Sequence, residues 1–128
     1  MSAIIAPQTI TLTIPGTLAT TSLVSVAMPF KGVIIGGFLA VTGAPAGSAL
    51  TADVKVGADV AATFSIAAGG FSDEATLTPA NVDFAKGGLV HLDVSAVGSG
   101  TAGSNATLSL VVAEVSESTK TADASYND

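Results

Sequence analysis

Apolar and polar residues alternate with a period of two along most of this chain, and no window repeats at helical spacing. In QTITLTI, residues 8–14, Ile10, Leu12 and Ile14 share one face while Thr9, Thr11 and Thr13 share the other. That pattern predicts a half-buried antiparallel strand of mostly β-branched residues, closed by a Pro15-Gly16 turn. SLVSVAM at 22–28 predicts a second strand, stopped by Pro29. GVIIGGFLAV at 32–41 is apolar on both faces, which predicts cover on both, and Gly36 and Gly37 mark a bend, a bulge or a close backbone approach.

The alternation resumes at 50–56, where Leu50, Ala52, Val54 and Val56 oppose Thr51, Asp53 and Lys55. VAATFSI at 60–66 pairs with it through the turn Gly57 to Asp59. Residues 67–87 are the least regular and predict one short strand near 75–78. GLVHLDVSAV at 88–97 and NATLSLVVAEV at 105–115 supply two long strands. These eight segments, with their turn spacing, predict an all-β fold: a single-domain antiparallel β-sandwich, jelly-roll-like. The domain spans 9–115, with an N-terminal arm over 1–8 and a polar tail over 116–128.

Two turns have similar wording. VTGAPAGSALTADVKVG (41–57) and VGSGTAGSNATLSLVV (97–112) each run from Val through a Gly/Ser/Ala stretch ending in AGS into a strand. Equivalent hairpin ends of a Greek-key sandwich lie on one rim, which is where this reading places both. The strands at 49–56 and 88–97 are expected as neighbours in one sheet. Their polar rows, Asp53 and Lys55 against His91 and Asp93, would then form a ladder facing solvent.

Composition narrows the function. The chain has 128 residues, enough for one unstapled core, and no cysteine, which removes disulfides, zinc-cysteine sites and thiol chemistry. Only 11% of residues are charged, against roughly 25% in ordinary soluble domains. Arg is absent, the cations are Lys31, Lys55, Lys86 and Lys120, and the net charge is −6. Nothing here supplies the basic stripe that nucleic acid requires. Apolar runs are broken by Gly and Ser below the length of a membrane helix, and MSAIIAPQ is not expected to act as a signal peptide. Small residues fill the positions that charges usually hold. Such a surface suits packing against other subunits; the alternative is a monomer with a small-residue exterior.

No constellation points to catalysis. His91 shares a strand face with Asp93, but i, i+2 neighbours on a strand stand roughly 6–7 Å apart along the chain and orient one another poorly. GSALT and GSNAT lack the nucleophile elbow. Asp73, Glu74 and Asp83 do not follow a calcium-loop pattern, and Trp is absent where a sugar platform would need aromatics. The expectation is therefore no enzyme, no catalytic residue, no cofactor and no metal.

TGAPAGSALTADVKVG, then FSIAAGG, then LVHLDVSAVGSGTAGSNATLSLVV together resemble a pattern of small β-sandwich virion proteins of tailed bacteriophages. The resemblance covers about residues 33–112 and rests on strand-and-turn phrases. It implies a capsid decoration (cement) protein on the virion exterior, made in the host cytoplasm. Its partners would be copies of itself, as a homotrimer, and the major capsid protein, with no nucleic acid and no membrane. The alternative it leaves open is a receptor- or glycan-binding module of a head or tail fibre. The expected interface residues are Gly36, Gly37 and Phe38 of the doubly apolar strand, with Ile4 and Ile5 of the arm. Those two either lie across a neighbour or belong to a frayed terminus.

Overall fold

The computed structural model describes residues 4–115, with the side chains of residues 4–6 outside the description. The tail expected over 116–128 lies outside the described residues. Ten antiparallel strands build two packed sheets: β1 (Ile4–Thr17), β2 (Leu23–Ala27), β3 (Gly32–Gly43), β4 (Leu50–Val56), β5 (Asp59–Ile66), β6 (Ser72–Glu74), β7 (Thr76–Leu77), β8 (Asp83–Phe84), β9 (Leu89–Val97) and β10 (Ser104–Val115). One 3-10 turn, Pro79–Asn81, interrupts them. Sheet A runs β1-β10-β3-β6, with β8 also on β3; sheet B runs β2-β9-β4-β5-β7. The chain is an all-β sandwich, as the alternation predicted.

All eight expected strands are present, and β6 and β8 are additional. Both are held by backbone bonds to the β3 edge, at Leu39↔Asp73 and Gly32↔Phe84, and neither is long enough to display alternation. The arm is corrected too. From Ile4 onward the backbone is β1 strand, with Ile4 opposite Val115, Pro7 opposite Ala113 and Gln8 opposite Val112. A proline interrupts a central strand but not an edge strand, where its missing N–H faces outward.

The core between the sheets takes one residue of every alternating pair. Leu12, Ile34, Leu39, Leu108, Leu110 and Val112 come from sheet A, and Leu50, Val54, Phe64, Leu92 and Val94 from sheet B, all buried. Each such side chain contributes roughly 1.5–3 kcal/mol by leaving water. At Gly36-Gly37 the expected irregularity is real. Ile34 faces Val112 and Gly36 faces Val111, so Ile35 is the extra residue of a bulge. A side chain at Gly37 would stand 3.1 Å from the Ser109 carbonyl oxygen, so β3 and β10 approach closely there and a larger residue would push them apart by a few tenths of an ångström.

The two similar turns do share a rim. Ala46 and Thr101 form a β-bridge, the Ala46 N–H donates to the Thr101 carbonyl (2.9 Å), and the Gly100 N–H donates to the Ala46 carbonyl (2.8 Å). Gly98 holds a positive φ of 106° beneath Pro45, a conformation that side-chain-bearing residues rarely adopt.

Candidate functional site

Two outer faces remain once the core is assigned, and they differ in chemistry. On sheet B the pairing β4–β9 places Lys55 opposite His91 and Asp53 opposite Asp93. The ladder expected from the sequence is thus formed. Lys55 Nζ reaches diagonally to Asp93 Oδ2 at 3.0 Å, and Thr51 Oγ1 and Ser95 Oγ lie 2.8 Å apart one row along. Ser25 of β2 faces His91 from the other side, and Leu23 and Leu89 flank the ladder as exposed apolar residues. His91 has a place in a half-exposed polar row, and its neighbours across the strands are Lys55 and Ser25.

The remaining acids are dispersed. Asp73 Oδ2 accepts the Ser65 N–H (2.7 Å), which ties β6 to the end of β5. Glu74 is registered with Phe38 and Asp83 with Val33 at separate points along β3. Among the described residues no three of His, Asp and Glu converge.

Sheet A presents an outer face of another kind. Rows run across β1, β10 and β3: Thr13–Thr107–Ala40, Thr11–Ser109–Phe38 and Thr9–Val111–Gly36. Across β1, β10 and β3 these rows contain no charge; on β6 the row of Phe38 continues into the exposed Glu74. Phe38 is 53% exposed and Ile35, in the bulge, 44%. Among the described residues β3 is covered on its inner face only, and the cover expected on its outer face is not supplied by them. Alternation makes the inner face core, and no element of the described residues crosses the outer one.

The expected interface residues separate accordingly. Gly36 and Phe38 stand on this face, with open space where a Gly36 side chain would be. Gly37 is buried against Ser109 and Leu110, so its smallness serves packing within the chain and it is withdrawn as a contact residue. Ile4 and Ile5 lie in β1, and their side chains are outside the described residues. Ile35 was missed as an exposed residue because a period of two assigns it correctly only when the bulge is known. Asn105 was missed as well. It holds a positive φ of 55°, accepts the Gly16 N–H through Oδ1 (2.7 Å) and donates through Nδ2 to Thr42 Oγ1 (2.9 Å), pinning both flanking strands.

No protein-family model matches the chain, and no curated protein sequence matches it.

Proposed function

We propose that this protein is a structural part of a bacteriophage virion, decorating and cementing the capsid exterior as a homotrimer through the outer face of sheet A. The observation that carries the reading is that face: rows rich in Thr, Ser and Ala across β1, β10 and β3, uncharged up to Glu74 at the β6 edge, with Phe38 and Ile35 standing out of it. Exposed apolar side chains on a small-residue surface fit a protein partner, since small neighbours let it approach closely and burying the apolar groups takes them out of water. The resemblance of the strand-and-turn phrases to those of virion sandwiches supports the same assignment.

The strand order supports the jelly-roll reading. Successive strands β1 to β4 alternate between the sheets, and the four-strand cores β1-β10-β3-β6 and β2-β9-β4-β5 follow that scheme. In this reading His91 is a ladder residue, and the protein catalyses nothing and needs no cofactor.

Quantitative mass spectrometry of gradient-purified particles from the bacterium carrying the gene tests the proposal. The expected result is this protein at an abundance comparable to the major capsid protein. Its absence from particles, while present in the lysate, would overturn the reading.

A further inference from the structure

The sandwich has two lateral sides, and the described residues close one of them. Residues 67–88 seal the side at β6, β7 and β8. Thr78 donates its N–H to the Ala61 carbonyl (2.8 Å), Ile34 to Val82 (2.9 Å) and Ala75 to Gly37 (2.9 Å), while Asn81 Nδ2 donates to the Val60 carbonyl (2.9 Å). The other side ends on β1 and β2, each paired on one edge alone among the described residues. Ile10 and Ile14 of β1 and Val24 and Val26 of β2 are only partly buried there.

The open β1 edge carries none of the usual guards along its middle. Pro7 and Pro15 block its two ends, and Gln8–Ile14 between them contain no charge, bulge or proline. Pro7 and Pro15 have the parity of Thr9, Thr11 and Thr13, which puts those threonines' backbone groups on the outward edge. The window is also self-complementary. Thr11 is equidistant from both prolines, and a twofold axis there sets Thr9 against Thr13, Ile10 against Leu12 and proline against proline. Threonines then continue one outer face, and Ile10 and Leu12 one inner face with Gln8 opposite Ile14 at its ends.

We propose that β1 pairs antiparallel, through residues 8–14 and about a twofold axis at Thr11, with β1 of a second copy of this chain. The pairing joins two A sheets into one and covers Ile10 and Ile14. It uses an edge, not the outer face of sheet A, and so stands apart from the proposed function. Trimers held through that face and pairs held through this edge combine as hexamers.

Sedimentation of the full chain and of Thr11→Lys tests it, with circular dichroism melts to establish folding. Two lysines facing each other at the axis repel. The expected result is a wild-type mass of two or six chains, halved by Thr11→Lys at the same concentration and unchanged by Thr107→Lys. A wild-type monomer or trimer would overturn the pairing, as would a Thr11→Lys mass equal to wild type. A monomer with the Thr9, Thr11 and Thr13 amides protected from hydrogen exchange assigns the edge to a cover within the chain and overturns it too. The chain has no cysteine, so Thr11→Cys accepts a single spin label. Facing strands lie about 5 Å apart, and the labels should broaden each other strongly; narrow lines insensitive to dilution with unlabelled protein contradict the pairing.

Discussion

Lys55 Nζ stands 3.0 Å from Asp93 Oδ2, across the β4–β9 ladder and one step off the direct register. The diagonal matters because the residue directly opposite Asp93 is another acid, Asp53. Lys55 therefore offsets a like-charge pair that the register imposes. With the two side chains 27% and 36% exposed, solvent screens the attraction, and the pair contributes about 0.2–1 kcal/mol. Lys55→Met should lower unfolding free energy by that amount in low-salt urea titrations. The difference should shrink in molar salt. Asp53→Asn, which removes the repulsion, should cost nothing measurable.

The core predicts a larger effect. Leu92 is fully buried in β9, registered between Val24 of β2 and Val54 of β4. Leu92→Ala leaves a cavity that well-packed strands cannot collapse, and should cost about 2–5 kcal/mol. Denaturant titration checks it, with Leu89→Ala on the exposed face of the same strand expected within about 0.5 kcal/mol of wild type.

Gly98 tests the rim. Its φ of 106° is unfavourable for any other residue, and a side chain there would stand 2.6 Å from the Thr101 carbonyl oxygen and 3.0 Å from Pro45. Gly98→Ala should destabilise by about 1–3 kcal/mol. Local hydrogen exchange should rise first at Ala46 and Gly100, whose N–H groups tie the two turns together. Unchanged protection at those amides would contradict the account of the rim.

Phe38 separates stability from assembly. Its ring stands half-exposed in the row Thr11–Ser109–Phe38. Phe38→Ser should leave the melting curve within about 0.5 kcal/mol of wild type. It should lower occupancy on particles at least tenfold in a binding assay with purified capsids. Equal occupancy of variant and wild type would remove the outer face of sheet A as the contact.

Much of this was legible in the sequence because alternation reports burial directly. QTITLTI assigns Leu12 to the core and its threonines to the surface, and the polar rows of 50–56 and 88–97 announce a shared ladder before pairing is known. The matched turns on one rim were legible for a similar reason, since both flank strands of equivalent position. What stayed hidden depends on long-range geometry. β6 and β8 exist because the β3 edge offers backbone partners, which no local pattern encodes. Pro7 reads as a break unless β1 is known to be an edge. Gly37 and Gly36 look alike in sequence, and only the register of β3 beside β10, with its bulge, assigns one to packing and the other to the surface.

A cryo-electron microscopy reconstruction of the virion tests the central claim most directly. The account predicts sandwich-shaped density on the capsid exterior, fitted by this fold, with the outer face of sheet A and the Phe38 ring buried against the capsid protein or a neighbouring copy. A particle whose exterior carries no such density, or one in which that face points to open solvent while the Lys55–Asp93 ladder makes the contact, would contradict it.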